Sequence, residues 1–363
     1  MYVSADWHMD VAGMDQSCLH EGLPAVPGGL PLLAVHAAVD GVMLLLMLAT
    51  NASIVAAIVR QRRRLAGVSL SARFAANLAA ADAFVGAATV FYLSYRYVCA
   101  SRVGLGGYKY TCVLRFVVVS SAHMTSAYSL VAIAVDRYIA VVHALRYKEI
   151  MNVRRWAVII ATVWLASTMI NLSLFAWNKW EPGAECELDK IVPLGYMIAA
   201  GIATHGGIIV VVALVHYRIH REAVAVKCRR LTGDNQPCPG GSAANVLRRT
   251  MNTKSARVLL LVTCVYLGCW APYTLLYLVK VSGISSPAID LAQNLAYTFA
   301  NINYLVNPFI YSWKNANVRQ CIVRTLQDLG LYDKSVLSNA VKSNVSDRRT
   351  SSRTPSSEQI IPT

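Results

Sequence analysis

Ala134-Val135-Asp136-Arg137-Tyr138-Ile139-Ala140 decides how this chain is read. Two ionisable residues stand side by side there, at the close of a long apolar stretch. Working outward, six further apolar stretches punctuate the sequence. The expected spans are 32–59, 69–95, 109–142, 153–177, 191–220, 253–281 and 288–313. A second polar motif, Asn307-Pro308-Phe309-Ile310-Tyr311, closes the seventh. A bilayer crossing needs about 20 apolar residues, and several of these stretches are longer, which predicts tilt or protrusion beyond the lipid. In hydrocarbon every backbone polar group must be satisfied within the segment, so the spans are expected to be helices.

Composition agrees with a bilayer as solvent. Of 363 residues, 56% are hydrophobic and 15% charged, where soluble domains carry about a quarter charged residues. The net charge of +15 raises nucleic acid as a partner, but its distribution argues against that class. Residues 1–31 hold Asp6, Asp10, Asp15 and Glu21 and no Lys or Arg. The first loop holds Arg60, Arg62, Arg63 and Arg64, and the loop after the third span holds Arg146, Lys148, Arg154 and Arg155. Lys227, Arg229, Arg230, Arg248 and Arg249 lie between spans five and six, whereas Glu181, Glu185, Glu187 and Asp189 lie between four and five. Alternate loops are basic, so the positive-inside rule places the N-terminus outside, and the basic runs are assigned to topology and anionic lipid.

Residues 1–30 lack a basic n-region and a long apolar h-region, so the first span is expected to act as the targeting signal. Asn51-Ala52-Ser53 and Asn171-Leu172-Ser173 match the glycosylation pattern but fall within spans, and Asn344-Val345-Ser346 falls in the inner tail. None is expected to carry sugar.

The expected organisation has four parts. Residues 1–30, with Pro24, Pro27 and Gly28-Gly29, form an outer tail. Residues 31–314 form the seven-span core, interrupted by a helix-breaking tip at 232–243. Residues 315–329 form an amphipathic helix on the membrane surface: Val318, Ile322, Leu326 and Leu329 recur at helical spacing, with Arg319, Arg324 and Asp328 on other faces. Residues 330–363 form a polar, disordered tail. Its Ser and Thr residues at 350–352, 354, 356 and 357, beside Arg348, Arg349 and Arg353, are either kinase targets or solvated linker. The fold class is all-α: a seven-transmembrane helix bundle with a short surface helix after the seventh span.

Together the two motifs and the seven spans resemble the rhodopsin-like (class A) G-protein-coupled receptors, over roughly residues 31 to 329. The resemblance implies a disulfide between Cys112, which starts the third span, and Cys186, before the fifth. Both would face the oxidising exterior, where a bridge persists. Nine cysteines are present. Cys18 and Cys99 are also outside, and a second bridge between them stays open, as does palmitoylation of Cys321. Cys264 and Cys269, in the sixth span, read as packing residues.

The resemblance also assigns roles inside the bilayer, where ionisable residues are costly. Asp82 stands where relatives hold an allosteric sodium ion, with Ser126, Asn303 and Asn307 matching the polar partners. A protonated, hydrogen-bonded Asp82 is the alternative. Asp136 and Arg137, followed by Tyr138, form the pair that holds the inactive state and frees the Arg toward the G protein. Trp270 and Pro272, in Cys269-Trp270-Ala271-Pro272, imply a kinked hinge under the ligand cavity. Asn307, Pro308 and Tyr311 complete the switch. Asn51 and Trp164 match landmarks of spans one and four. The fifth span departs from the pattern: no proline follows Pro193, and either His216 or Tyr217 fills the place of an inner Tyr. Many relatives carry an acid at the place of Asn252 that restrains the third-span Arg; its absence implies basal activity.

Subfamily echoes conflict. Residues 134–140 with Ala144-Leu145-Arg146-Tyr147-Lys148 are similar to melanocortin and adenosine receptors. The seventh-span motif with Arg319-Gln320 resembles the adenosine group. The proline-free fifth span is similar to melanocortin and lysolipid receptors. Val119 stands where aminergic receptors carry an Asp, which disfavours a monoamine. Asn301 replaces the retinal-binding Lys of visual pigments. Tyr277 replaces an Asn of adenosine receptors, which counts against adenosine itself. Arg115 either holds an acidic ligand group or snorkels to the interface. His123 and His205 either bind an acidic group, a metal or a proton or stay uncharged. Asp40 is a candidate counter-charge near the upper cavity.

The resulting expectation is a plasma-membrane receptor, not an enzyme, that carries an outside signal to a heterotrimeric G protein, with arrestin and receptor kinases meeting its tail. The ligand is a non-aminergic lipid, peptide or nucleoside-like molecule. No cofactor is expected beyond a sodium ion. A non-coupling decoy receptor or a transporter is the alternative; the latter would need repeated halves or discontinuous helices, and no internal repeat is visible.

Overall fold

A computed structural model describes residues 29–64, 69–98, 107–143, 145–183, 186–231, 243–284, 286–314 and 316–328. Eight principal helices run through them: α1 Gly29–Arg64, α2 Leu70–Tyr97, α3 Lys109–Val142, α4 Val153–Leu172, α5 from Leu194 to Leu231, α6 Ala243–Val281, α7 Pro287–Lys314 and α8 Ala316–Asp328. One-turn helices at Tyr147–Ile150, Leu174–Trp177 and Leu188–Ile191 decorate the connections. The expected outer tail up to residue 28, the 232–242 tip, Cys18, Cys99 and the 330–363 tail lie outside the described residues, as do the side chains of His216, Asn252, Tyr311 and Cys321; Gly29 and Leu30, expected in that tail, open α1.

Local chemistry sets the helix starts. Ser69 caps α2 by accepting from the Ala72 amide, and Asn152 caps α4 by accepting from the Arg155 amide. Ser286 accepts from the Ile289 amide ahead of α7, with Pro287 at the first helical position and Asp290 in the first turn. Gly283, at φ 91°, makes the tight turn between α6 and α7 that a side chain would strain.

α3 runs through the middle and packs against α2, α4, α5 and α6, while α1 closes on α2 and α7. Small residues on its inward faces, Ala122, Ala127 and Ala134, are wholly buried and let neighbouring backbones approach. Gly86 on α2 serves the same end: a Cβ there would lie 2.7 Å from the Leu48 side chain of α1. The opposite surface is apolar. Leu45, Val158, Leu165, Met169 and Leu214 are each more than half exposed, a patchwork that belongs in hydrocarbon rather than water.

Six described helices are long and apolar enough to cross a membrane. α7 has the length, with 28 residues, but Asn294, Asn301, Asn303 and Asn307 lower its apolarity. It spans as a member of the bundle, its polar face turned onto α1, α2 and α6. α1 and α6 run past the expected spans 32–59 and 253–281, because helix continues where the chain leaves the apolar zone. α8 matches the expected amphipathic helix; Val318 is wholly buried, and the helix lies against α1.

α5 is irregular. Between Leu194–Gly201 and Gly207–Leu231 a π-helical turn spans Ile202–Gly206. Such turns insert an extra residue and re-aim the side chains beside it. Here one supplies the local irregularity in a helix whose only proline, Pro193, precedes it. Tyr217 is exposed on the lipid-facing side, so of the two inner-end candidates it does not point into the bundle.

Candidate functional site

Four polar centres are strung along α3. At its Cys112 end the disulfide to Cys186 is formed, with Cα atoms 5.8 Å apart. Arg115, one turn further on, is 6% exposed. Its Nη2 donates to the Cys186 carbonyl at 2.5 Å, and its guanidinium lies 3.6 Å from the Tyr95 ring centroid and 4.5 Å from that of Phe116. Arg115 therefore neither snorkels to the interface nor opens toward a ligand in this structure. It pins the bridged loop to α3, and two aromatic faces balance its charge. Beyond it, Lys280 at the end of α6 reaches Asp290 at 2.9 Å and Asp189 at 4.0 Å, tying that same loop to α6 and α7.

Trp270 is the hub of the middle. His123 stands edge-on to it at 5.1 Å between centroids, with His205 at 5.6 Å, Tyr273 at 5.8 Å and Tyr266 at 6.3 Å. His123 Nδ1 donates to the Val119 carbonyl at 2.7 Å, so in a neutral ring Nε2 would be the acceptor. His205, delivered by the π-turn, shares a 3.1 Å hydrogen bond with the Tyr266 hydroxyl. His123 Nε2, Trp270 Nε1, Tyr297 OH, Asn301 Oδ1 and Tyr304 OH are buried without a hydrogen-bond partner. Buried polar atoms are almost always paired, so this group has spare capacity for a polar guest. Val119 and Tyr277 are partly buried on α3 and α6. Among the described residues no cluster of three or more His, Cys, Asp or Glu could hold a metal ion. A narrow crevice opens beside this centre, between α1, α2 and α7; Asp40, Tyr92, Tyr297, Thr298 and Asn301 line part of it.

One layer further, Asp82 is wholly buried. Ser126 Oγ donates to its Oδ1 at 2.5 Å and Asn307 Nδ2 to its Oδ2 at 2.9 Å. Asn303, one turn from Asn307 on α7, is equally buried, and neither its Nδ2 nor its Oδ1 has a partner; Asn307 Oδ1 also lacks one. A carboxylate, a hydroxyl with free lone pairs and two unpaired amide oxygens make a hard, all-oxygen donor set, the kind that suits an alkali or alkaline-earth cation. Asn51 ties α1 to α7 by donating to the Tyr304 carbonyl at 2.9 Å. Trp164 donates to Asn77 Oδ1 at 3.0 Å and Asn77 to Ser129 at 2.8 Å, joining α4, α2 and α3.

At the far end, Arg137 folds back on Asp136. Its Nε donates to Asp136 Oδ2 at 2.9 Å, and its Nη2 pairs with the same oxygen. Tyr147, from the one-turn helix that follows, donates to Asp136 Oδ1 at 2.7 Å. Asp136 is 1% exposed and Arg137 11%. Pro272 and Pro308 sit inside continuous α6 and α7. Thr274 Oγ1 donates to the Trp270 carbonyl at 2.9 Å beside the first of them. Cys269 is buried, as packing predicts, whereas Cys264 is exposed on the lipid side. The two span asparagines of glycosylation pattern, Asn51 and Asn171, are buried.

The structure thus joins Asp82, Ser126 and Asn307 directly, and His123 and His205 through Trp270. It separates Arg115 from them. Sequence reasoning missed Tyr147, Tyr266, Asn77 and Ser129. Tyr147 was visible as part of a motif, but not as the partner of Asp136.

This arrangement has a family. Residues 50–311 match the 7 transmembrane receptor (rhodopsin family), and the chain belongs to it. It is a multi-pass membrane receptor rather than an enzyme. Among curated proteins it is similar to adenosine receptor A2a of Homo sapiens, 27% identical over 267 residues, and of Canis lupus familiaris, 26% identical over 267. Each match covers 68% of this chain and 62% of the relative, so the chain spans less than two thirds of the A2a length. Adenosine receptor A2b of Homo sapiens is 26% identical over 271 residues, covering 68% of this chain and 76% of that one.

Proposed function

We propose that this receptor carries a signal from a non-aminergic small ligand outside the plasma membrane to a heterotrimeric G protein inside, with the Cys112 end of α3 outward. The observation that supports this most directly is the Arg137–Asp136–Tyr147 arrangement. A cation at the mouth of the bundle is held by one buried carboxylate, ready to be released when α6 moves about Pro272. The basic loops at the same end support the orientation.

The ligand's polar part docks above Trp270, among His123, Asn301 and Tyr297, where buried donors and acceptors await partners. Val119 offers no carboxylate to a protonated amine. The relatives are named adenosine receptors, and a nucleoside-like ligand fits the mixed donor and acceptor set. Tyr277, in the place of an Asn of that group, argues for a different base or none. His205 acts through Tyr266 and Trp270 rather than on the ligand. Asp82, Ser126, Asn303 and Asn307 bind sodium in the inactive state. Arrestin and receptor kinases meet the Ser/Thr-rich tail.

A ligand screen read as nucleotide exchange across a panel of G proteins tests this reading. A hit among nucleoside-like, lipid or peptide ligands, weakened by sodium in the native chain and not in Asp82→Asn, supports it, because an ion can favour only the state it binds better. Potent activation by a simple monoamine contradicts the ligand class. Binding without exchange on any G protein identifies a decoy receptor.

A further inference from the structure

α1, α2 and α7 are joined near the Cys112 end by a chain of polar side chains, of which only Asp40 has been given a role above, as a candidate counter-charge near the upper cavity. His36, on α1, is 6% exposed, and Asp40, one turn below it, is 8% exposed. Arg96 Nη2 on α2 lies 3.4 Å from His36 Nδ1. His36 Nε2 lies 2.9 Å from Thr298 Oγ1 on α7, and Thr298 Oγ1 donates to Asp40 Oδ1 at 2.6 Å. Tyr97 donates to Asp40 Oδ2 at 2.7 Å. Arg96 also donates to the Tyr92 hydroxyl at 3.0 Å.

The proton positions follow from chemistry. A guanidinium can only donate, so His36 Nδ1 must accept. Thr298 spends its proton on the carboxylate, so it must accept from His36, and Nε2 carries the ring proton. Every bond in the chain then runs one way, from Arg96 through His36 and Thr298 to Asp40, and it runs only while His36 is neutral. A second ring proton would occupy Nδ1. The acceptor would vanish, and an imidazolium would face a guanidinium at hydrogen-bond distance. Asp40 Oδ2, 3.7 Å from His36 Nε2, is the anion ready to receive that charge. The charged and titratable groups around the ring are thus Asp40 from α1 and Arg96, Tyr97 and Tyr92 from α2; α7 contributes the neutral Thr298. Asp40, Tyr92 and Thr298 also line the crevice described above, which is about wide enough for one water.

We propose that His36 is a proton-binding site whose occupancy unlinks α1 from α2. Protonation transfers His36 from Arg96 on the neighbouring helix to Asp40 on its own, and Arg96 falls back on Tyr92 and Tyr97. With the orientation proposed above, the proton comes from outside the cell, and acidification loosens the first helix against the bundle. An unperturbed imidazole changes its charge between about pH 5 and 8, the range over which the test below follows His36.

The test uses the purified full-length receptor in lipid nanodiscs, with histidines labelled in carbon-13, so it depends on neither coupling nor orientation. The His36 signal is the one lost in His36→Gln; should that variant fail to fold, it is the one displaced in Tyr97→Phe. It is expected to titrate between pH 8 and 5. In Arg96→Gln, where the opposing cation is gone, the transition is expected at a pH higher by about one unit or more. Fluorescent non-natural residues at Val35 and Val98 are expected to report a longer α1–α2 distance at low pH, with the same midpoint, and no change in His36→Gln. A His36 signal that does not move in that range, a midpoint unchanged in Arg96→Gln, or a distance that ignores pH would each overturn the proposal.

Discussion

Two arginines on one helix, Arg115 and Arg137, solve the cost of a buried cation in opposite ways. Arg115 has neutral hydrogen-bond partners, a loop carbonyl and aromatic faces. Arg137 has a carboxylate, itself held by Tyr147. Removing an ion from its counter-charge leaves a buried charge behind, which is costly but reversible when another partner arrives. Carbonyl and ring contacts offer no such exchange. The difference separates a fastener from a switch: the Cys112 end of α3 is built to stay, the Asp136 end to let go.

The largest expected effect is at the fastened end. Cys186→Ser opens the bridge and is expected to cost about 2–5 kcal/mol, seen as loss of surface expression and a lower Tm. Arg115→Met leaves the Cys186 carbonyl without its donor and is expected to cost about 1–3 kcal/mol, again as Tm. If Arg115 only fastens, agonists of every chemical class lose potency alike. A selective loss for acidic agonists would break the comparison and return Arg115 to the ligand.

At the switching end the effect moves from stability to signalling. Asp136→Asn removes the counter-charge while keeping the shape. About 1.4 kcal/mol less bias toward the inactive state raises the active-to-inactive ratio tenfold, read as nucleotide exchange without ligand at equal surface expression. The smallest effect is expected from Asn252→Glu, which offers Arg137 a second carboxylate. It should lower basal exchange several-fold, for about 1 kcal/mol. An unchanged level would mean that Asp136 and Tyr147 restrain Arg137 by themselves.

Much of this contrast was legible in the sequence, though not evenly. The spans were, because a bilayer imposes one length and one polarity on every crossing. Asp82 with Ser126 and Asn307 was legible through resemblance, and the geometry brings them into direct contact. The role of Arg115 was not, because its partner is a backbone carbonyl, and carbonyls are the same in every residue. Nor was the π-turn that aims His205 at Tyr266: one extra residue in a helix leaves the apolar pattern almost unchanged. Tyr147 escaped because its hydroxyl reaches Asp136 only after the chain turns through a one-turn helix. α7 showed the converse. Its asparagines weaken it as a lone span and are what mark it as a helix that faces partners.

The most direct test is guanine-nucleotide exchange on a panel of purified heterotrimeric G proteins, with the native receptor, Asp136→Asn and Arg137→Ala compared in the same membranes. Exchange without ligand is expected to be measurable in the native chain, higher in Asp136→Asn and absent in Arg137→Ala. Equal exchange in all three, or none in Asp136→Asn on any G protein, would contradict the account.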